Sequence, residues 1–425
     1  MPSEETLPNS LEGMLDLLER RSPESRIELG LERVRKVWAS MGADLGSIRI
    51  AIVGGTNGKG STIAFMESIA IAAGYRCMAY SSPHIVDFSE RFRLDGQPAG
   101  RSAIAVALRA VERARGDQQL TWFEHVTLAA LALAAGERVD WLLLEVGLGG
   151  RLDAVNIVEP DVAVITSIGL DHQQWLGRTR SAIAREKCAI ARAGRPLVVA
   201  EKRLPPGMRE HLVETRADVR LAGRDFDWRW SRGGLGIRHG QRRIFGLEPG
   251  LAGRHQGGNA AAAIAAALAL DPGIDTQTLS NGIGRAHLTG RFEKIASSPD
   301  VIVDVAHNPA AARVLRQQLQ RITGRKIAVF SALQDKNVEG IVQALAGVID
   351  HWYVAGLEAP RGLSGPGLVK RMRTAGVGGR LEALKSVAEA LARARTGCGP
   401  QDCVIVFGSF MTVAAAVEVI TKEKS

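Results

Sequence analysis

Several things are scarce in this sequence. Aromatic residues make up 5% of its 425 positions, too few for the stacking platforms that hold single-stranded nucleic acid. There are four cysteines, Cys77, Cys188, Cys398 and Cys403. One Cys-x4-Cys pair without a second is a poor zinc site and a poor disulfide candidate, so a reducing, cytoplasmic setting is expected. The longest purely apolar run, 260–270, is mostly alanine and about half the length of a membrane span. Residues 1–10 are polar and acidic, without the apolar core of a signal segment. No membrane partner is expected.

Lysine is also rare, with eleven against forty-three arginines. Where this chain uses lysine, the amine itself deserves scrutiny. The formal net charge is +9, but no basic run of five or more residues occurs, so nucleic acid is not the expected partner. A small anionic substrate, such as a nucleotide or a polycarboxylate, fits the excess equally well. An arginine-rich surface without function is the plain alternative.

What is present is the mix of an ordinary globular protein, 46% hydrophobic and 23% charged. The length suggests about two or three domains. Short β-branched runs alternate with longer amphipathic or Ala-rich segments, the rhythm of βα units on a mostly parallel sheet. Strands are expected at 49–53, 141–146, 162–166 and 197–200, with helices through 73 and over 101–115, 124–135 and 179–192. Residues 201–250, with Pro205-Pro206, Trp228, Trp230 and Gly233-Gly234, break the rhythm and read as a small antiparallel insert. Helices return at 258–270 and 276–285. A second α/β rhythm starts at the strand 301–305. The fold class is therefore α/β, with a P-loop ATPase-like amino-terminal domain, 1–288, and a smaller Rossmann-like α/β domain, 289–425.

The first chemical motif is Gly54-Gly55-Thr56-Asn57-Gly58-Lys59-Gly60-Ser61-Thr62, between a buried-type strand and a helix. Glycines let backbone N–H groups face a phosphate, and the helix amino end adds partial positive charge. Lys59 reaches the outer phosphates in such a loop. Gly60 stands where a hydroxyl residue ordinarily follows the lysine, so the usual magnesium hydroxyl is displaced. Glu145, at the end of strand 141–146 and before a glycine loop, suits a metal ligand. On spacing alone His172 reads as structural. Asp304, His307 and Asn308 cluster at the carboxyl end of the second domain's first strand, where open α/β sheets face ligands.

Taken in order, these segments resemble folylpolyglutamate synthase and its bifunctional form with dihydrofolate synthase, a branch of the Mur ligase superfamily. The matching stretches include Gly55-Thr56-Asn57-Gly58-Lys59-Gly60-Ser61, Tyr80-Ser81-Ser82-Pro83-His84, and Leu144-Glu145-Val146-Gly147-Leu148-Gly149-Gly150-Arg151-Leu152-Asp153-Ala154. Further matches are Leu170-Asp171-His172, Ala184-Arg185-Glu186-Lys187, Gly290-Arg291-Phe292 and Asp304-Val305-Ala306-His307-Asn308-Pro309.

The resemblance implies ligands that spacing does not. Ser82, Glu145 and His172 would hold magnesium, two ions in all, which overturns the structural reading of His172. Lys187 would be carbamylated, a chemistry open to a lysine that loses its proton and closed to arginine. Asn57, Gly58, Lys59, Gly60, Ser61, Asn259, Arg291 and Asp304 would contact ATP. Thr121, Trp122, Phe123 and Glu124, with Leu152, Asp153 and Ala154, would form the pterin surface. Lys59, Lys187 and His307 would act in catalysis. The implied reaction joins L-glutamate to dihydropteroate and to tetrahydrofolate through an acyl phosphate, by a monomer. A monofunctional folylpolyglutamate synthase is the alternative. Thr289, Cys188-Ala189 and Asn337 depart from the family's usual residues and bear on the amino-acid pocket.

Overall fold

A computed structural model of the protein describes residues 7–357, 359 and 361–424. The chain forms two compact units, one of residues 1–83 and 89–287, the other of 84–88 and 288–425.

The first unit begins with helices α1 (Leu11–Arg21) and α2 (Glu32–Met41). Strand β1 (Arg49–Gly54) leads to α3 (Lys59–Ala72), then β2 (Cys77–Tyr80), β3 (Phe92–Leu94) and β4 (Gln97–Pro98). Helices α4 (Arg101–Ala114) and α5 (Trp122–Glu137) precede β5 (Trp141–Glu145) and β6 (Val162–Ile165). Next come α6 (Gln173–Leu176), α7 (Arg180–Cys188), β7 (Pro196–Val199), α8 (Met208–Glu214) and β8 (Asp218–Leu221). These eight strands form one sheet in the order β4-β3-β2-β5-β1-β6-β7-β8. From β2 to β8 every pair is parallel, while β3 and β4 fold back antiparallel at one edge. Central strands β1 and β5 are buried almost throughout, as a sheet covered on both faces requires.

The expected insert at 201–250 is only partly antiparallel. Its first half supplies α8 and β8, and β8 extends the main sheet in parallel. The antiparallel part is β9 (Phe226–Ser231), β10 (Gly234–His239) and β11 (Arg242–Leu247), a separate three-stranded sheet. Helices α9 (Gln256–Leu270) and α10 (Thr276–Arg285) close the unit. Nearly all of α9 is buried, including the alanines from 260 to 267, so the run too short for a membrane is a core helix. No helix among the described residues is long and apolar enough to cross a membrane.

The second unit holds β12 (Glu293–Ala296), β13 (Asp300–Asp304), α11 (Pro309–Leu319), β14 (Lys326–Phe330), α12 (Val338–Ala344) and β15 (His351–Ala355). It continues through α13 (Gly365–Thr374), β16 (Arg380–Leu384), α14 (Val387–Thr396), β17 (Cys403–Phe407) and α15 (Phe410–Lys424). Its sheet runs β12-β13-β17-β14-β15-β16, parallel except for β12. One apolar cluster covers each face, around Phe330 and Trp352 on one side and Val329 and Val406 on the other.

Candidate functional site

Register places the motifs of the first unit along one edge. Val53 of β1 pairs with Glu145 of β5, Gly54 pairs with Ile165 of β6, and Tyr80 of β2 pairs with Leu144. The segments that follow β1, β2, β5 and β6 therefore all leave the carboxyl edge of the sheet, the edge that faces ligands in parallel α/β folds.

The turn after β1 depends on glycine. At Gly55, φ is +149°, and a Cβ would collide with the Thr166 hydroxyl. Gly58 caps α3 with φ +92°, and a Cβ there would lie 2.5 Å from Asn259 Oδ1. The segment after β6 holds the turn in place. Thr56 N donates to Ser167 O at 2.8 Å, Asn57 N to Ser167 Oγ at 3.0 Å, and Thr166 Oγ1 to Asn57 O at 2.7 Å. No side chain caps α3, so its first N–H groups face the loop without an internal carboxylate or hydroxyl acceptor.

Two amines converge on one carbonyl. Lys59 Nζ lies 3.3 Å from Gly55 O, and Lys187 Nζ, from α7, lies 3.0 Å from the same oxygen. Lys187 is 4% exposed. Burial, and next the positive charge of Lys59, push its pKa down to about 7 from the usual 10.5, so a neutral amine is accessible near neutral pH. Glu145, 6% exposed, sits 3.9 Å from Lys59 Nζ and accepts Ser82 N–H at 3.4 Å. His172 has a left-handed φ of 49° at the start of α6. Its Nε2 is 4.0 Å from Asp171 Oδ1. Among the described residues, no three His, Cys, Asp or Glu side chains converge as a metal cluster. Ser82, Glu145 and His172 offer one hydroxyl, one carboxylate and one imidazole, so a hard cation held by these three would draw other ligands from phosphate oxygens or water.

The segment 121–124 divides by role. Thr121 and Glu124 form a reciprocal cap for α5, with Thr121 N donating to Glu124 Oε2 at 2.8 Å. Glu124 also pairs with Arg33 at 2.8 Å. Trp122 is buried, with the Arg91 guanidinium 4.7 Å from its ring centre. Phe123 alone of the four is partly exposed. Its ring packs so close to Gly147 that a Cβ there would come within 2.6 Å. Asp153 is buried, and its carboxylate accepts Leu148 N at 2.8 Å and Val155 N at 3.0 Å. Burial raises its pKa to about 6 against those hydrogen bonds and the Lys59 charge. Leu152 is half-buried and Ala154 buried.

Sequence reasoning missed Gln256. It is fully buried, reaches Ser61 Oγ at 3.4 Å and accepts Asn259 Nδ2 at 2.7 Å. Its position three residues before Asn259 on one helix was the available signal. The hydroxyl pair Thr166-Ser167 was missed too, because nothing local marks a polar pair after a strand as a partner of a distant loop.

In the second unit, Asp304 ends β13. It accepts Phe292 N at 3.0 Å and Ala306 N at 2.8 Å, and burial raises its pKa to about 6 despite Arg291 and these bonds. The Arg291 guanidinium lies 5.7 Å from the Phe410 ring centre. His307 Nδ1 is 2.9 Å from Val305 O, which directs a proton to Nδ1 and leaves Nε2 as the basic nitrogen when the ring is neutral.

Residues 53–267 match the Mur ligase middle domain, and residues 290–410 match the Mur ligase glutamate ligase domain. The dihydrofolate synthase/folylpolyglutamate synthase of Escherichia coli (strain K12) is 41% identical over 94% of this chain and 93% of its own length. This chain belongs to the dihydrofolate synthase/folylpolyglutamate synthase family. The structure of E. coli FolC in complex with DHPP and ADP matches with a TM-score of 0.92 and 40% identity, over 98% of this chain and 99% of that one. A bifunctional folylpolyglutamate synthase/dihydrofolate synthase with Mn, AMPPNP and L-glutamate bound matches with a TM-score of 0.89 and 37% identity, over 98% and 100%. The likeness spans both α/β units, so the family assignment covers the large amino-terminal and the smaller carboxy-terminal domain alike.

Proposed function

We propose that this protein is an ATP-dependent ligase with both family activities. It adds L-glutamate to dihydropteroate, forming dihydrofolate, and to tetrahydrofolate, forming polyglutamates. The observation that carries this reading is the joint placement of the glycine turn, Lys59, Lys187 and Glu145 on one sheet edge, with Phe123 against Gly147 of the same edge. The bifunctional relatives support the pair of acyl donors, with glutamate as the one acceptor.

The first domain, 1–288, is read as P-loop ATPase-like and the second, 289–425, as Rossmann-like. Asn57, Gly58, Lys59, Gly60 and Ser61 bind the phosphates of ATP through backbone N–H groups and the lysine amine. Asn259, Arg291 and Asp304 are read as further contacts of the nucleotide. Ser82, Glu145 and His172 would hold magnesium, two ions in all, and magnesium would supply charge neutralisation to the phosphates. Glu145 fits this task, being a buried carboxylate at a strand end beside a hydroxyl residue.

Lys187, as a neutral amine, adds carbon dioxide and releases a proton, so that a buried neutral amine becomes a carboxylate. The substrate carboxylate attacks the γ-phosphate and ADP leaves. The amine of glutamate then attacks the acyl phosphate, and phosphate is expelled. Lys59 neutralises charge on the phosphoryl group in transit. His307, with Nε2 basic, orients or deprotonates the incoming amine. Phe123 packs on the pterin, and Asp153, flanked by Leu152 and Ala154, accepts its amino groups. Thr121, Trp122 and Glu124 act on that surface by fixing the start of α5. The enzyme works as a cytoplasmic monomer.

The test is ADP release with L-glutamate and either dihydropteroate or tetrahydrofolate, run separately. Turnover with both is expected. Turnover with tetrahydrofolate alone would leave a monofunctional folylpolyglutamate synthase.

A further inference from the structure

None of the chemistry above uses the three-stranded sheet of β9, β10 and β11. Trp228 and Trp230 project from the same side of β9, two residues apart. Both reach the first turn of α9. A Cβ at Gly257 would lie 2.9 Å from Trp228 Cδ1 and 2.9 Å from Trp230 Nε1, and a Cβ at Gly258 would lie 2.9 Å from Trp228 Cζ2. Trp230 Nε1 donates to Arg254 O at 2.8 Å, just ahead of the helix. Lys202 Nζ lies 3.7 Å from the centre of the Trp228 ring and is paired with Asp227 at 2.5 Å. Two successive glycines weaken a helix, and here they make room for the indoles.

The same turn of α9 carries Gln256 and Asn259. Gln256 reaches Ser61, and Asn259 crowds Gly58. We infer that Trp228 and Trp230 are positioning residues for the nucleotide. They fix the seat of the first turn of α9, and through Gln256 and Asn259 they set the phosphate turn at Gly58 and Ser61. The inference rests on the nucleotide reading of that turn and extends it to residues about 170 positions away in sequence on a sheet the reaction does not use.

Gly258→Ala places a methyl group against Trp228, and adding Trp228→Phe removes the ring atoms it meets. On the full chain, calorimetric titration with ADP is expected to show affinity weakened about fivefold or more in Gly258→Ala, with the KM for dihydropteroate within about twofold of wild type. The double variant should recover affinity to within about twofold. Should Gly258→Ala fail to fold, Trp228→Phe alone is read: weaker ADP binding at unchanged dihydropteroate KM supports the inference. Unchanged ADP affinity in the folded variants overturns it, as do ADP and dihydropteroate constants that worsen in step with the melting temperature. A wild-type protein that fails to bind ADP would instead refute the nucleotide reading itself.

Discussion

Helices α3 and α11 each follow the first parallel strand of their unit, yet their amino ends are built in opposite ways. Gly58 caps α3 with a left-handed backbone and offers no side chain. Asn308 caps α11 by accepting Ala311 N–H at 3.0 Å, and Pro309 removes a donor at the next position. The first design keeps backbone donors available for an anion from outside. The second satisfies its own helix and presents side chains instead, with Asp304 held by two backbone N–H groups and His307 by a carbonyl. One topology thus leaves the helix start uncapped by a side chain in one unit and closes it with one in the other.

Lys59→Ala should break the first design most severely. Losing a phosphate-neutralising contact costs on the order of 3–4 kcal/mol in the transition state. Steady-state ADP release should therefore fall by two to three orders of magnitude while the melting temperature is kept. Near-normal turnover in a folded variant would remove the phosphate role from this turn.

Lys187→Ala should lower turnover by about 10–100-fold, the usual effect of losing a group that orients a metal site. Lys187→Glu should restore part of it by returning a carboxylate. The lysine also makes a prediction without substrate. Its folded pKa of about 7 lies below the unfolded 10.5. Between these values the unfolded chain holds a proton that the folded one does not, so stability should rise with pH across that window and level off below it. Urea titrations in carbonate-free buffer check this, and Lys187→Met should flatten the rise.

Asp153→Ala should weaken dihydropteroate binding by about 1–3 kcal/mol, the value of a buried hydrogen bond lost, with ATP affinity kept. Asp153→Asn keeps one oxygen for a backbone N–H but sets an amide group against the other, because the two carboxylate oxygens serve Leu148 N and Val155 N separately. If Asn binds dihydropteroate as wild type does, the pterin makes no use of the Asp153 charge. The smallest effect belongs to the second design. Asn308→Ala should cost about 1 kcal/mol of stability through the lost cap, read by denaturant titration. Adding Asp or Ser at position 58 should cost ATP binding and give nothing back, because a left-handed φ of +92° and Asn259 exclude a side chain there.

Much of this was legible in the chain. The strand 49–54 and helix 59–72 are marked by a β-branched run, a glycine cluster and an Ala- and Ile-rich segment, and helix 276–285 lies within its expected limits. The stretch from 365 to 384 gave no such rhythm. Helix α13 starts Gly-Pro-Gly, and β16 is half exposed at the sheet edge, so neither shows the burial pattern that periodicity detects. Strand β8 was obscured in the same way, being polar and an edge strand. In the site, glycine and charge drew attention to Lys59 and Glu145, but Lys187 was singled out by the resemblance and by nothing in the spacing around it. Only the fold shows it buried beside a second lysine. Thr121 and Glu124 carry a capping-box spacing that was not read as one, and the structure gives them that work.

Ile85 packs in a core cluster with Val303, Val305 and Val413, and a side chain on Gly290 would press on it at 2.9 Å. It leaves the ribosome about two hundred residues before Val303 and Val305, and more than three hundred before Val413. At roughly 5–20 residues per second, the lag to the first two is about ten to forty seconds. During that interval Ile85, beside the exposed Val86, is an apolar loop with its packing partners not yet made. Translation speed and chaperone access, rather than the stability of the finished enzyme, should then govern how much protein is recovered. A synonymous recoding that slows elongation between residues 90 and 290 should lower soluble yield without altering a single contact in the product.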